Sequence, residues 1–185
     1  MALKEKIAIK SQSRIEVKLR PLKPEDHERV SFWLMQPFII ERSFVVPAPR
    51  CIPKDFFTKK YAYRCMDLLL DDLTHRSFAI IYNKKHVGNV GFKNVDLEQK
   101  KAECFIEIGD KRSRQKGVAQ KAMELLLAFG VRVLKLKMVE LEVLEFNVAA
   151  IKIYKKLGFQ SLNSCLWHYD EFGIYWKVLR MRLKL

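Results

Sequence analysis

Two carboxylates in the segment AECFIEIG could move protons. If the segment is extended, its side chains alternate between faces, so Glu103, Phe105 and Glu107 share one face and Cys104, Ile106 and Ile108 the other. Charges on an interior strand are costly unless solvated, paired or used, and one carboxylate raises the pKa of its neighbour. Glu103 and Glu107 are therefore candidate acid–base groups; a wet cleft wall or pairing with lysines is the competing account. A second centre is RSRQKGVAQKA, where Arg114, Gly117 and Ala119 sit at a strand-to-helix junction. Exposed N–H groups and the helix dipole bind anions there, glycine lets a ligand approach the backbone, and Ala119 keeps the first turn clear. Lys111, Arg112, Lys116 and Lys121 strengthen the field. The segment is neither a Walker A sequence nor GxGxxG, and an ordinary glycine turn with a solvated basic face also fits it.

Other chemistry-bearing residues form no pattern. His27, His75, His86 and His168 are scattered without a serine or cysteine partner at a recognisable motif. Cys51, Cys65, Cys104 and Cys165 lack the close pairs of a zinc site, so no metal is expected, and reduced, mostly buried thiols are the simplest reading.

The order of elements follows from periodicity. SRIEVKLRPL alternates like a strand exposed on one face, and Pro24, Glu25 and Asp26 open a helix carrying Val30, Trp33 and Leu34. Lys23 is an unusual cap there, having no acceptor oxygen. PFIIERSFVVPAPRCIPKD reads as a long surface loop and FFTKKYAYRCMDLLLDDL as a helix. SFAIIY and HVGNVGF flank Asn83-Lys84-Lys85 as a hairpin, and AECFIEIG is a third strand. From Gly117 a helix places Val118, Ala122, Leu125, Leu126, Phe129 and Val133 on one stripe. MVELEV is a strand, Asn147 to Leu157 a capped helix ended by Gly158, and two strands around 159–168 and 174–183 enclose DEFG. This is a mixed α/β order whose helices can cover both faces of one sheet. A length of 185 residues fits one domain, with 1–13 a loosely ordered basic N-terminus.

The run N147-V-A-A-I-K-I-Y154-K-K-L-G158-F159 begins thirty residues after Gly117. Together with R114-x-x-G-x-A and the opening LRPLKPEDHERVSFWL, it resembles the GNAT superfamily of acetyl-CoA-dependent N-acetyltransferases over nearly the whole chain from Arg14. The likeness is greatest to the branch of ribosomal-protein, spermidine and nucleotide-sugar acetyltransferases. The resemblance implies a twisted, mostly antiparallel mixed sheet with a V-shaped split between the strands at 103–109 and 138–143, where acetyl-CoA would lie. The pyrophosphate would meet the backbone of Arg114, Gln115, Lys116, Gly117, Val118 and Ala119. Asn147 and Tyr154 would face the pantetheine and sulfur, although Asn147 is also a good N-cap and Tyr154 could simply pack. A strand N–H between Ile106 and Ile108 would hold the thioester oxygen.

A neutral amine must lose a proton as it attacks, and the departing thiolate should gain one. Glu103, eleven residues before Arg114 and so where several GNAT enzymes keep their base, is the first candidate and Glu107 the second; Tyr154 suits the acid. Trp33, Phe38 and Phe44 lie where the family builds its acceptor pocket, and core packing explains them equally well.

The composition, 49% hydrophobic and 30% charged, is that of a folding domain. No apolar run approaches the length of a membrane span, and MALKEKIAIK has charges where a signal peptide is apolar, so a cytoplasmic chain without membrane partners is expected. Lys plus Arg number 35 against 21 acids, a net +14 that attracts polyanions but suits a polycationic acceptor poorly. The expected activity is therefore transfer of acetyl from acetyl-CoA to a primary amine, a protein N-terminus or amino sugar ahead of a polyamine, by a monomer or homodimer. The rival is a non-catalytic basic module binding RNA or ribosomes; no RNP, KH or helix-turn-helix motif supports it, and no specific nucleic acid is expected.

Overall fold

The computed structural model describes residues 15–40, 75–169 and 174–185. Among the described residues seven strands make one sheet: β1 (Val17–Pro21), β2 (Arg76–Tyr82), β3 (Lys85–Asp96), β4 (Lys101–Glu107), β5 (Met138–Leu144), β6 (Gln160–Tyr169) and β7 (Ile174–Lys184), in the order β1-β2-β3-β4-β5-β7-β6. Every pairing is antiparallel except β4 with β5. The helices are α1 (His27–Leu34), α2 (Pro37–Ile40), α3 (Val118–Arg132) and α4 (Val148–Lys156), with single 3-10 turns at Pro24–Asp26 and Lys111–Ser113.

The two faces of the sheet are covered by different helices. On one, Ile80, Val90, Phe92 and Cys104 meet the apolar stripe of α3, where Val118, Ala122, Met123 and Leu126 are buried. Phe129 of α3 packs edge-on against Phe78 of β2, and Gly130 leaves room for the Phe92 ring. On the other face Val30 of α1 packs with Leu22 and Ala79.

Most boundaries agree with the periodicity, and the differences have local causes. The helix expected from Pro24 begins as a 3-10 turn, and Asp26 supplies what Lys23 cannot: its carboxylate accepts the Lys23 N–H at 3.0 Å. The expected loop from Pro37 starts instead with the helical turn α2, which proline suits at a first position. Val133 is not on the buried stripe; α3 ends at Arg132 and Val133 is 60% exposed. The hairpin turn narrows to Asn83 and Lys84, both left-handed (φ 48° and 61°), with Lys85 already paired to Tyr82. The helix expected over 56–73, the rest of the long loop, the turn DEFG and the basic N-terminus lie outside the described residues.

Candidate active site

The site is set by where the parallel pair stops. Lys101, Ala102 and Glu103 pair with Met138, Val139 and Glu140, and there the ladder ends. Antiparallel pairing on the other side carries β4 on with β3 as far as Glu107 opposite Asn89, while β5 follows β7 to Leu144. Beyond Glu103 the two strands therefore diverge, and the end of β4 from Phe105, with Ile108 just after it, borders the opening.

The two carboxylates share a face, as alternation requires, but their surroundings differ. Glu103 lies opposite Lys93, whose Nζ is 3.2 Å away, and accepts from Asn94 Nδ2 at 3.0 Å. Burial would raise its pKa, yet Asn94 and Lys93 together hold it below the ordinary carboxylate range. Among the described residues, Glu107 is placed differently. Its Oε1 is buried without a hydrogen bond, and burial pushes the carboxyl up to about 7, against the pull of the Arg114 charge.

Arg114 does not extend toward solvent. Its Nε donates to the Ile108 carbonyl at 2.9 Å and Nη2 to the Gly109 carbonyl at 3.1 Å, while the guanidinium lies 3.7 Å over the Phe38 ring. The side chain thus ties the end of β4 to the turn before α3. That turn begins with Asp110, which accepts from the Arg112 N–H and the Ser113 hydroxyl. Gln115 (φ 60°) and Gly117 (φ 76°) are left-handed, a backbone that curls N–H groups around one concavity. Gly117 caps α3 without a side chain, so the first-turn N–H groups of Val118 and Ala119 are left for an external acceptor. A Cβ on Gly117 would meet the Ile15 side chain at 3.0 Å in a conformation L-residues rarely adopt.

Asn147 caps α4, its Oδ1 accepting from Ala150 N at 3.4 Å. Tyr154 of α4 is buried with its ring tilted against Phe159, and it belongs to the core that holds Cys104 and Phe92. Burial, aided by the Cys104 side chain, pushes its phenol above the ordinary value, so it keeps its proton at neutral pH. Tyr154 therefore lies on the α3 side of β4 and Glu107 on the α1 side, with the opening between β4 and β5 beside both.

Of the aromatic residues expected at an acceptor pocket, Trp33 is buried, standing edge-on to His86 at 5.0 Å and resting against Gly109, where any Cβ would collide with its ring. Phe38 is 40% exposed beneath Arg114, and Phe44 lies outside the described residues. His86 has the partners its sequence position did not suggest: Asp26 Oδ1 lies 3.2 Å from Nδ1, and the Gly88 carbonyl and Asn89 Oδ1 are each 3.0 Å from Nε2. Asp26 in turn accepts two hydrogen bonds from Arg20 at 2.6 and 2.7 Å. Burial would raise the Asp26 carboxyl, but Arg20, the Lys23 N–H and His86 hold it at about 2. Asn89, 1% exposed inside β3, carried no sequence signal beyond being a polar residue in an apolar strand. Among the described residues no group of His, Cys, Asp or Glu could hold a metal ion, and no helix is long and apolar enough to cross a membrane.

A mixed sheet that opens at its one parallel pair, with a basic glycine turn beside the opening, is the architecture of a CoA-dependent acyltransferase. The chain belongs to the acetyltransferase (GNAT) domain family, whose pattern matches residues 16–160. It is an N-acetyltransferase whose acetyl donor is acetyl-CoA. Spermidine N(1)-acetyltransferase of Escherichia coli K12 is 27% identical over 175 residues, 89% of this chain and 84% of that protein. The spermidine N-acetyltransferase of Vibrio cholerae in complex with CoA and spermine superposes with a TM-score of 0.74 at 20% identity, covering 91% of this chain and 95% of that one. A dodecameric structure of the Vibrio cholerae enzyme gives 0.69 at 20% identity, over 91% and 93%.

Proposed function

We propose that one acetyltransferase domain moves acetyl directly from acetyl-CoA to a primary amine, with Glu107 taking the amine proton and Tyr154 giving one to the departing thiolate. The observation that carries this reading is the carboxyl of Glu107: partner-free at Oε1, next to the opening, with a pKa of about 7. A base poised near neutral pH is half ionised where the enzyme works and still basic enough to accept a proton. Glu103, ion-paired and held low, is the weaker base and serves to hold β4 to β3. In this reading the turn from Arg114 to Ala119 receives the pyrophosphate through its backbone, Asn147 both caps α4 and faces the pantetheine, and an edge N–H between Ile106 and Ile108 receives the thioester oxygen as charge develops.

The relatives acting on spermidine support a polyamine acceptor. Arg114 beside Glu107 and the net +14 favour instead a single-amine acceptor such as a protein N-terminus or amino sugar. Thiol release from acetyl-CoA with spermidine, an N-terminal peptide and glucosamine separates the two. A kcat/KM for spermidine at least tenfold above the others sustains the polyamine; the reverse order assigns the single-amine class. No thiol release with any amine, together with no thermal shift by acetyl-CoA, would defeat the enzyme reading.

A further inference from the structure

Five buried side-chain atoms lack hydrogen-bond partners among the described residues: Ser31 Oγ, Ser77 Oγ, His86 Nδ1, Asn89 Nδ2 and Glu107 Oε1. Unsatisfied buried polar atoms are rare and call for an explanation, since each forfeits hydration without a replacement. Here they collect on one side of the sheet. Ala79 is opposite Asn89 and Asn89 opposite Glu107, so these residues share the face covered by α1, as Ser77 does by alternation from Ala79. Ser31 lies in α1 itself.

Asn89 and Glu107 form the informative pair. Directly opposed residues on one face of an antiparallel ladder have Cβ atoms roughly 5 Å apart. One carries an unused donor and the other an unused acceptor, and no direct bond joins them. The orientation of the amide follows from its neighbour. His86 Nε2 lies in hydrogen-bond geometry 3.0 Å from the Gly88 carbonyl, which only accepts, whereas Nδ1, though 3.2 Å from Asp26 Oδ1, is in hydrogen-bond geometry with nothing among the described residues, so the hydrogen is assigned to Nε2. That N–H also faces the Asn89 side chain at 3.0 Å, which must then present its oxygen and turn its NH2 group away. Asp26 stands behind the imidazole at 3.2 Å, itself clamped by Arg20.

We propose that Asn89 is a positioning residue for the reaction: its amide, fixed by His86, holds together with Glu107 the water through which the acceptor's proton reaches the carboxylate. The inference rests on Glu107 being the base. The water oxygen accepts from Asn89 Nδ2, gives one hydrogen to Glu107 Oε1 and keeps a lone pair for the amine N–H. As the amine nitrogen bonds to the acetyl carbon, its proton passes to this water and a water proton passes to Glu107. The C–S bond then breaks, and sulfur leaves with the electron pair and is protonated. Donation straight to the amine nitrogen would occupy the lone pair that attacks, so the amide acts on the water.

The test is the pH dependence of kcat/KM, with acetyl-CoA affinity measured alongside. The charged or titratable groups on this face are Arg114 after β4, His86 on β3, Asp26 before α1, Arg29 on α1, Arg20 on β1 and, further along β4 and β3, Glu103 and Lys93. Burial pushes the His86 imidazole below its ordinary value, and its contribution is covered by its own variant. In Asn89→Ala, loss of the donor disfavours ionised Glu107, so the acidic limb moves upward and kcat falls about tenfold, the size of one lost hydrogen bond at the reacting atoms, with acetyl-CoA Kd unchanged. His86→Phe keeps a ring against Trp33 but frees the amide, and gives a smaller shift in the same direction. A merely structural Asn89 would lower Tm and leave the limb in place, which overturns the inference; if Asn89→Ala does not fold, the His86→Phe profile decides on the same terms. Glu107→Gln separates the two readings. Loss of the limb in Glu107→Gln with no shift in Asn89→Ala refutes only the role of Asn89, whereas a limb that survives Glu107→Gln refutes Glu107 as the base and this inference with it.

Discussion

Glutamine in place of Glu107 keeps the side chain's size and removes its basicity. If Glu107 takes the proton, kcat falls about 100-fold or more in Glu107→Gln, while Glu103→Gln loses only a few-fold because it gives up a half-exposed ion pair. Steady-state kinetics on the two variants checks this, and Tyr154→Phe should slow turnover less than Glu107→Gln if water can protonate the thiolate. The same carboxyl marks the stability of the fold. With its pKa raised from 4.5 to about 7, the folded chain holds a proton that the unfolded chain has released, so stability declines as pH rises from about 4.5 through about 7. Asp26 has the opposite sign: held at about 2, it contributes above its ordinary range, and that contribution is lost as pH falls toward about 2. Melting curves should therefore lose Tm on both sides of about pH 4 to 5, and Glu107→Gln should flatten only the upper side.

Turns and helix ends carry the next set of outcomes. Asn83 and Lys84 both hold left-handed conformations in a two-residue hairpin, where the second position strongly favours glycine. Lys84→Gly should stabilise the chain by about 1 kcal/mol, read as a rise in Tm, since an exposed lysine there gives up little else. At the start of α3 the constraint runs the other way. Gly117→Val imposes strain at φ 76° and puts a branched side chain beside the first-turn N–H groups. Calorimetry should find acetyl-CoA bound at least tenfold more weakly, with the amine KM little changed. Asn147→Ala removes the α4 cap at a cost of about 1 kcal/mol, whatever its effect on the cofactor.

Over the whole molecule the charge of +14 is the dominant electrostatic fact, and several carboxylates are already paired across strands, as in Glu140 with Arg182 and Glu142 with Arg180. Uncompensated bases remain to attract polyanions without selecting among them. A small anion such as acetyl-CoA offers few charges for ionic contacts, so its affinity should fall only modestly between low and physiological salt. RNA affinity should fall steeply with added salt and reach no tighter than about micromolar at physiological ionic strength. Filter binding across a salt series, beside calorimetry with acetyl-CoA, measures both slopes; nanomolar, sequence-selective RNA binding without acetyl-CoA binding would favour the rival binding module.

Alternation alone put Glu103 and Glu107 on one face, and the glycine turn at 114–119 with the run from Asn147 to Phe159 made the family legible, because strand period, left-handed glycine and helix caps are local properties of the chain. Which carboxylate is poised was not local. Glu103 is quenched by Lys93 and Asn94, brought opposite it by the β3–β4 register, while Glu107 owes its raised pKa to what covers it. The same holds for His86, an isolated histidine in the sequence, which a β-bulge and the start of α1 place between Asp26 and Asn89. The opening itself exists because β4 keeps pairing with β3 after its ladder with β5 has stopped at Glu103 and Glu140. Residue type and spacing thus determined which groups could react; register and burial, which depend on strands far apart in the chain, decided that Glu103 is ion-paired while Glu107 Oε1 is buried without a hydrogen bond.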